Sequence, residues 1–536
     1  MNAISSHRKT IHLLMPMSGQ GTRYRKAGYT QPKPLIPVSG IPMVERLLAV
    51  LPTHWPSHFV MAENHRGTGL PEHLQALRPQ GRLSYVEPHT LGPSFAVLKG
   101  LEGIPDDAPV LVTYCDYGMV WDPIAFERFV LESECDACLI SYRGFHAHYL
   151  SPVKYAYSRM EGERVVEVRE KGPFTDNREN EFASAGGYYF RSAKLLREAI
   201  EYQQKIGLSL NGEFYTSLTT EALLRMKPDA HVRVFEIPGF FQWGTPEDLQ
   251  IFEFWEKAYR SANRFAGASV EVDQVLMPMA GLGSRFNALT PLKKPCVPVD
   301  GVPMFMQALK SMPRAKKAVF VALSSFVEDI RPHFTPECEA VVLEETPPGQ
   351  ALSTEAGVGR LDPEKEVIVT SCDHGIVLDP SLWNAFRAAP DCDAAIFTMR
   401  GFPGATRRPQ AYAYVREAAG GARFPAVEGV SVKKPISDQP SRDPVLVGTF
   451  WFRSAELLQK GITELKKRDV RVNGELYLDS VFDVLAEMGH RVRAIPLDGY
   501  LCWGDPDSLK ETLYWKEIFM GHRIAPREPF PGVPLK

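Results

Sequence analysis

One unusual stretch of sequence occurs twice in the chain, and this duplication constrains the fold more than any other feature. LLMPMSGQGTRYRKAGYTQPKPLIPVSG, residues 13–40, is matched by VLMPMAGLGSRFNALTPLKKPCVPVDG, residues 275–301. Further pairs follow in the same order: VTYCDYGMVWDP with VTSCDHGIVLDP, YYFRSAKLL with FWFRSAELL, NGEFYTS with NGELYLDS, and GFFQWGTPEDL with GYLCWGDPDSL. A repeat of about 260 residues has the size of a domain rather than of a solenoid unit. We therefore predict two tandem domains, residues 1–262 and 263–536.

Within each half, short apolar runs alternate with longer amphipathic stretches. In the first half HLLMPM, SHFVMA and APVLVTYC are separated by PMVERLLAVL and SFAVLKGL. This alternation is typical of β/α units. We predict an α/β fold of two doubly wound, Rossmann-like domains, each with a mostly parallel mixed sheet. Ligands in this architecture bind beyond the carboxyl ends of the strands.

Composition excludes several classes of protein. A net charge of −3, with 23% charged and 44% hydrophobic residues, argues against a nucleic-acid-binding polycation and against a disordered chain. No apolar run approaches the ~18 residues of a membrane span, and the N-terminal stretch lacks the pattern of a signal peptide. Eight cysteines are too sparse for a disulfide scaffold, so we predict a cytoplasmic protein. Cys135 and Cys138 form a C-x-x-C within an apolar run, which we interpret as a buried strand.

The repeated stretch combines a glycine turn with two cations. Gly19 and Gly21 follow an apolar strand and allow close approach of a ligand to the backbone, whose N–H groups bind phosphate oxygens. Arg23 adds a planar charged fork, and Lys33 follows in a proline-stiffened loop. The corresponding residues of the second half are Gly281, Gly283, Arg285 and Lys294. The pattern predicts a phosphate-binding loop in each half.

The combination of G-x-G-[ST]-R, P-K-P-L and G-x-P-M resembles the nucleoside diphosphate-sugar pyrophosphorylase family, the sugar-1-phosphate nucleotidyltransferases, over nearly all of both halves. The resemblance implies transfer of a nucleoside monophosphate from a nucleoside triphosphate to a sugar phosphate, with release of pyrophosphate. It implies Mg²⁺ as cofactor and a nucleotide-sugar product, here for a surface polysaccharide. The implied triphosphate-binding residues are Gly19, Gly21, Thr22, Arg23 and Lys33, with Gly281, Gly283, Ser284, Arg285 and Lys294. The oligomeric state stays open.

The same resemblance assigns the metal site. Asp116 and Asp373 each follow an apolar run and would hold Mg²⁺. A second metal-binding aspartate of the family is replaced by Gln242 in the first half and by Cys502 in the second. Glutamine keeps a hard oxygen ligand, whereas a thiol is a poor partner for magnesium. We therefore expect the first site to be the more complete one.

The resemblance also assigns the acceptor and base sites. Glu170 and Lys171 match the family's acceptor motif, and we match Lys434 with Lys171, which places Lys433 where a glutamate is expected. Such a charge reversal would alter or abolish recognition of a sugar hydroxyl. Further substrate-binding candidates are Gly187, Glu213, Gly448 and Glu475, of which Glu213 and Glu475 are also candidate replacement carboxylates. The candidates for base recognition are Glu87, Gly92, Glu344 and Gly349. A glutamate accepts hydrogen bonds from amino groups, which favours CTP or GTP.

Three alternatives remain open at this stage. The acceptor is a non-sugar phosphate such as phosphocholine, used by cytidylyltransferases with a similar glycine and lysine pattern. One half, more plausibly the second, is a regulatory or binding domain without catalysis. A glycosyltransferase is the third alternative, but its usual Asp-x-Asp motif is replaced by CDYG and CDHG.

Overall fold

A computed structural model describes residues 9–389 and 391–521. The chain divides into two compact units, of which the first ends at Glu253 and the second runs from Phe254 to Met520. This division falls inside a helix, Pro246–Arg264. The domain limits 1–262 and 263–536 remain predictions. The expectation of no signal peptide concerns in part residues 1–8, which lie outside the described residues.

The first unit alternates strands and helices along the chain. Its strands are β1 (His12–Met17), β2 (Pro37–Val38), β3 (Ile41–Pro42), β4 (Ser57–Ala62), β5 (Arg82–Val86), β6 (Val110–Thr113), β7 (Tyr117–Val120), β8 (Ala137–Tyr142), β9 (Tyr157–Glu161), β10 (Arg164–Arg169), β11 (Phe182–Phe190), β12 (Val232–Glu236) and β13 (Gly239–Gln242). Its helices are α1 (Thr22–Lys26), α2 (Met43–Leu48), α3 (Leu70–Leu77), α4 (Pro93–Leu101), α5 (Pro123–Glu132), α6 (Ala193–Lys205), α7 (Thr216–Met226) and α8 (Pro246–Arg264). Short 3₁₀ helices lie at Lys33–Leu35, Glu63–His65, Ala147–Leu150 and Arg178–Asn180.

The central sheet of the first unit is mixed. Its described strands follow the order β10-β9-β11-β6-β1-β4-β5, and β8 pairs with both β11 and β12. β1 is parallel to β4 and β6, whereas β11 is antiparallel to β6 and β8. Leu13, Leu14 and Met15 of β1 are fully buried, because a central strand is covered on both faces. The carboxyl ends of β1 and β6 therefore lie side by side at one edge.

The second unit repeats the thirteen-strand pattern of the first among the described residues, with small differences in its helices. Its strands are β14 (Glu271–Pro278), β15 (Pro298–Val299), β16 (Val302–Pro303), β17 (Arg314–Leu323), β18 (Cys338–Leu343), β19 (Val367–Thr370), β20 (His374–Val377), β21 (Ala394–Met399), β22 (Ala413–Glu417), β23 (Val427–Ser431), β24 (Val445–Phe452), β25 (Val492–Pro496) and β26 (Gly499–Cys502). Its helices are α9 (Ser284–Asn287), α10 (Met304–Lys310), α11 (Val327–Ile330), α12 (Gln350–Val358), α13 (Pro380–Ala388), α14 (Pro403–Arg407), α15 (Ala455–Arg468), α16 (Val481–Glu487) and α17 (Pro506–Met520). Short 3₁₀ helices lie at Lys294–Cys296, Arg331–His333, Pro409–Ala411 and Leu478–Ser480.

The described strands of the second sheet follow the order β18-β17-β14-β19-β24-β21-β25, with β22 pairing with β24 and β23 pairing with β22. Repeated motifs place equivalent caps in the two units. In the FRSA motif Ser192 Oγ accepts the Leu195 N–H at 3.1 Å, and Ser454 Oγ accepts the Leu457 N–H at 3.2 Å. Two tandem α/β units with mixed sheets confirm the predicted fold class.

No helix of the described residues has the length and apolar character to span a membrane.

Candidate active sites

A glycine turn follows the central strand of the first unit. It lies between Met17, where β1 ends, and Thr22, where α1 begins. Gly21 has a left-handed φ of 59°, and a Cβ there would lie 3.3 Å from the Cβ of Lys33. The left-handed φ and the close Lys33 side chain both favour glycine at this position. At Gly19 a Cβ would have no heavy atom within 4 Å and φ is not positive, so the fold itself does not require glycine there.

The second unit repeats this turn between β14 and α9. Gly283 has a φ of 60°, and a Cβ there would lie 2.7 Å from the Cβ of Lys294. Gly281 has open space in place of a Cβ, as Gly19 does. The exposed residues that begin the two short helices are Thr22, Arg23, Ser284 and Arg285. Both turns thus present an open glycine beside a lysine and an exposed arginine.

A lysine and an aspartate meet beside each turn. Asp116 lies between β6 and β7, and its Oδ2 accepts a hydrogen bond from Lys33 Nζ at 2.5 Å. Asp373 Oδ2 accepts from Lys294 Nζ at the same distance. The side chains keep 21% and 29% exposure in the first pair, and 19% and 25% in the second. In each unit the structure therefore brings together the two residues matched with the triphosphate and the metal, and leaves them accessible.

The second ion pair lies in a more charged setting. Burial alone would raise the pKa of Asp373, but Lys294 and His374 outweigh it and hold that pKa well below its ordinary value. Burial would likewise lower the pKa of Lys294, but Asp373 outweighs it and raises that pKa. Both groups therefore stay ionised at neutral pH. His374 Nδ1 lies 3.7 Å from Asp373 Oδ1, at a position that Tyr117 occupies in the first unit.

Gln242 and Cys502 end the strands that pair with the segments directly after these aspartates. β13 pairs with β7 so that Gln242 is opposite Tyr117, and β26 pairs with β20 so that Cys502 is opposite His374. Gln242 Oε1 is buried and has no hydrogen-bond partner among the described residues. An unpartnered buried oxygen next to a carboxylate fits a Mg²⁺ ligand. Burial raises the pKa of the Cys502 thiol, which keeps it protonated and unfit for magnesium.

Asp248, at the start of α8, is a site residue that the sequence analysis missed. Its Oδ1 accepts from Gln242 Nε2 at 2.6 Å and lies 3.3 Å from Lys154 Nζ. A Cβ on Gly244 would lie 3.6 Å from Asp116 Oδ2 and 3.8 Å from Asp248 Oδ2, so the two carboxylates converge. Because a carboxylate only accepts hydrogen bonds, Asp248 fixes the amide of Gln242 with Oε1 turned away from it.

The second unit exchanges the two residues of this cap. Thr245 Oγ1 accepts the Asp248 N–H at 3.2 Å in the first unit, whereas Asp505 Oδ1 accepts the Ser508 N–H at 3.0 Å in the second. The Asp505 carboxylate is further bonded by Arg408 at 2.9 Å. Arg285 lies 3.9 Å from the same carboxylate. The carboxylate beside the metal-site candidate therefore comes from different positions in the two units.

The acceptor-site lysine of the second unit was assigned wrongly by sequence. Lys171 has a left-handed φ of 55°, and its Nζ lies 4.6 Å from the centre of the Tyr215 ring. Lys433 has the same φ, and its Nζ lies 5.2 Å from the centre of the Tyr477 ring. Lys433, and not Lys434, is thus the counterpart of Lys171. Lys434 was matched because it directly precedes Pro435, as the lysine does in the family's Glu-Lys-Pro motif, whereas Lys171 stands two residues before Pro173.

The expected charge reversal at this motif is therefore also wrong. Glu170 precedes Lys171, and Glu170 Oε2 accepts from Ser217 Oγ at 2.6 Å. Burial raises the pKa of Glu170. The residue before Lys433 is Val432, a neutral side chain packed against the apolar core.

Gly448 is matched by Gly186 rather than by the predicted Gly187. Both have left-handed backbones, with φ of 78° and 88°, at a bulge of β24 and β11. Gly187 pairs with Thr113 in the ladder and has no such φ. A Cβ at Gly187 would lie 2.7 Å from Ile140 Cδ1, so its glycine serves packing within the sheet.

The base-site glycines allow a close backbone contact. Gly92 has a φ of 91°, and a Cβ there would lie 2.6 Å from the backbone nitrogen of Phe214. Gly349 has a φ of 125°, and a Cβ there would lie 2.5 Å from the carbonyl oxygen of Leu476. Each glycine thus holds the start of a helix against the strand-like segment that follows an Asn-Gly turn.

The four predicted glutamates are exposed at the edges of these sites. Glu87 and Glu344 follow β5 and β18, and Glu344 accepts from Ser324 Oγ at 2.9 Å. Glu213 and Glu475 directly follow Asn-Gly turns. Burial raises the pKa of a nearby tyrosine hydroxyl, Tyr215 or Tyr477, and each carboxylate helps to raise it through a hydrogen bond. Glu213 and Glu475 therefore lie beside the same tyrosines as Lys171 and Lys433.

Cys138 lies buried within β8, as the interpretation of a buried strand expects, and Cys135 lies buried two residues before that strand begins. Within residues 9–389 and 391–521, no group of three or more histidine, cysteine, aspartate and glutamate side chains is arranged to hold a metal ion.

Comparison with known proteins places this geometry in a family. The family model of the MobA-like NTP transferase domain matches residues 17–172 and again residues 276–448. The bifunctional protein GlmU of Xanthomonas axonopodis pv. citri (strain 306) is 32% identical over 111 residues, which cover 20% of this chain and 23% of GlmU. The chain thus spans about a quarter of the length of that relative.

Two solved structures are also similar. The nucleoside-diphosphate-sugar pyrophosphorylase of Vibrio cholerae RC9 is 21% identical with a TM-score of 0.36, covering 44% of this chain and 97% of that one. The inositol-1-phosphate CTP transferase of T. maritima is 14% identical with a TM-score of 0.37, covering 48% and 99%. The two family matches together cover more than half of the sequence, and the chain belongs to the MobA-like NTP transferase family as a nucleotidyltransferase with two tandem copies of the domain.

Proposed function

We propose that this nucleotidyltransferase transfers a nucleoside monophosphate from a nucleoside triphosphate to a sugar phosphate, with release of pyrophosphate, to supply surface polysaccharide synthesis. The observation that carries the proposal is the lysine–aspartate pair beside an open glycine turn, present in both units at 2.5 Å. We place the reaction in the cytoplasm, since all eight cysteines are free thiols.

The acceptor's own phosphate serves as the nucleophile. A phosphate monoester is largely dianionic at pH 7, so its oxygen attacks the α-phosphorus without a general base. The bond from the α-phosphorus to the bridging oxygen breaks, and pyrophosphate leaves with the electron pair. Catalysis then depends on positioning two polyanions and on stabilising the leaving charge.

The residues divide this work between them. Arg23 and Lys33 would bind the triphosphate at the turn, with the open space at Gly19 admitting a phosphate close to the backbone. Lys171 would bind the acceptor phosphate. Its Nζ donates a hydrogen bond to the Tyr215 hydroxyl at 2.8 Å, which holds the ammonium group at the edge of the candidate site. Asp116 and Gln242 Oε1 would hold Mg²⁺, which when bound neutralises phosphate charge.

The test is a substrate screen with the full chain and Mg²⁺. Each common triphosphate is combined with hexose 1-phosphates and with phosphocholine, and pyrophosphate release is measured. We expect release only when triphosphate and sugar phosphate are both present, whereas release with phosphocholine alone would favour a non-sugar acceptor. Hydrolysis of a nucleotide-sugar without pyrophosphate chemistry would overturn the proposal.

Single variants then assign activity to each half. Asp116→Asn should abolish turnover at the first site and Asp373→Asn at the second, each by about 10²-fold or more at its own site. If Asp116→Asn abolishes all activity and Asp373→Asn leaves activity unchanged, the second half is regulatory. The thiol of Cys502 at the metal-site position would agree with that result.

A further inference from the structure

The candidate acceptor sites of the two units correspond position by position, so their differences can be compared at matched residues. Val168 N–H donates to Glu221 Oε2 at 2.9 Å in the first unit, and Val430 N–H donates to Asp483 Oδ1 at 2.8 Å in the second. This contact joins β10 to α7 in the first unit and β23 to α16 in the second, in the same register. With Lys171 and Lys433 also equivalent, Glu170 corresponds to Val432, and Ser217 to Asp479.

The carboxylate of the candidate acceptor site comes from a different segment of the chain in each unit. In the first unit it is Glu170 on the strand side, bonded by Ser217 on the helix side. In the second unit the strand side is apolar Val432, and the helix side carries Asp479 in the 3₁₀ helix Leu478–Ser480. Each pocket thus keeps one carboxylate at the same strand–helix junction, beside an equivalent lysine.

Burying the carboxylate of Asp479 costs free energy that a purely structural role does not explain. It is 8% exposed, and burial raises the pKa of its carboxyl group to about 6. The groups that act favourably on this carboxylate are its own backbone N–H and Lys433. The serine of the first unit would occupy the same place without the desolvation cost. A buried carboxylate retained beside a cation in a pocket is typical of ligand recognition.

The walls around the carboxylate differ as well. Tyr114 of the first pocket, whose hydroxyl donates to Thr216 Oγ1 at 2.9 Å, is replaced by Ser371 in the second. Thr216 itself is replaced by Leu478. The second unit therefore lacks the hydroxyl–hydroxyl contact that Tyr114 makes with Thr216.

We propose that Asp479 is the specificity-determining carboxylate of the second half, accepting hydrogen bonds from hydroxyl groups of a phosphorylated polyol whose phosphate lies at Lys433. The two halves then select different acceptors. This inference rests on the proposed function, because it takes both pockets to bind a phosphorylated acceptor.

The experiment uses the full chain with one site silenced at a time. Lys33→Met leaves the second site to be measured, and Lys294→Met leaves the first. Pyrophosphate release is followed with glucose 1-phosphate, N-acetylglucosamine 1-phosphate and myo-inositol 1-phosphate as probes. In the Lys33→Met background, Asp479→Asn should raise KM for the best probe about tenfold or more while KM for the triphosphate changes less than about twofold.

Two further variants separate recognition from folding. Asp483→Asn removes a nearby carboxylate, in α16, whose hydrogen bond goes to the Val430 backbone, and it should lower stability without changing the KM for the acceptor. The double variant Val432→Glu with Asp479→Ser returns the carboxylate to the strand side. It should move the order of preference among the three probes toward that of the first site.

The outcomes are distinct. An unchanged acceptor KM in Asp479→Asn, or a silent second site beside an active first site, would overturn the inference and leave the proposed function standing. Absence of pyrophosphate release at both sites with every probe would overturn the proposed function and the inference with it.

Discussion

At the scale of single residues, the two candidate sites differ at pairs of positions rather than at single positions. Glu170 with Ser217 became Val432 with Asp479. A carboxylate moved across the pocket, and its former position became part of the apolar core. Individual side chains therefore reveal a site only together with the residue across from them.

Asp479 should make the stability of the second unit dependent on pH. Burial raises its folded-state pKa to about 6 from an ordinary value near 3.8. For an acid with a raised pKa, stability is complete below the unfolded pKa and falls as pH rises through the folded one. Between pH 4 and pH 7.5 the wild type should lose up to about 3 kcal/mol that Asp479→Asn keeps. Denaturant unfolding at both pH values measures this, and a difference that does not change with pH would refute it.

Gln242 should depend on Asp248 for its orientation. Asp248 accepts from Gln242 Nε2 at 2.6 Å, which leaves Oε1 buried and unpartnered among the described residues. We expect Asp248→Ala to weaken binding of Mn²⁺, used as a paramagnetic probe for Mg²⁺, by about tenfold at the first site, a usual effect for a residue that orients a ligand. Titration by electron paramagnetic resonance measures this. Ser508→Ala, at the corresponding position of the second unit, is the control and should leave the Mn²⁺ affinity of the first site unchanged.

At the scale of elements, glycines of the same motif have different tasks. Gly92 permits the start of α4 to meet the Phe214 backbone, whereas Gly19 meets no protein atom. Gly92→Ala should lower the free energy of unfolding by more than about 1 kcal/mol, because the left-handed φ and the contact both oppose a Cβ. Gly19→Ala should leave stability within about 0.5 kcal/mol and weaken triphosphate binding. Thermal unfolding and nucleotide titration distinguish them, and equal losses of stability would contradict the assignment.

The sequence predicted the elements better than the contacts between them. The duplicated motifs placed the glycine turns and the α/β fold, because these depend on local pattern and on strand ends. The contact between Lys33 and Asp116 was not predicted, although both residues had been singled out. The position of Lys433 was missed, since it depends on a left-handed φ and on a tyrosine ring distant along the chain. Asp479 aligns with Ser217 in the NGE motif, and a carboxylate replacing that serine was the available signal.

At the scale of the whole molecule, α8 determines where the chain is divisible. Tyr259 of this helix donates to the Thr512 carbonyl at 2.6 Å, and the Phe254 ring lies 5.8 Å from that of Phe402. These contacts belong to the second unit, although the helix begins in the first. The division at residue 262 that the sequence suggested would separate them.

Two fragments test this division. A fragment of residues 254–536 should fold cooperatively, whereas one of residues 263–536 should be unstable, because losing several buried aromatic side chains removes about 3 kcal/mol or more each. Circular dichroism with thermal unfolding of both fragments measures this. Equal midpoints would show that the C-terminal part of α8 contributes nothing to the second unit.

The exchanged pocket carboxylate also restricts how the two copies can recombine within one gene. The strand position and the helix position are well separated along the chain, so a crossover between them would yield a hybrid with Glu170 and Asp479 together, or with Val432 and Ser217. The first hybrid would crowd two negative charges into one buried niche, and the second would leave a lysine without a counter-charge. Exchange of only one of the two positions between the copies should therefore disturb the charge balance beside the lysine, whereas exchange of both should preserve it.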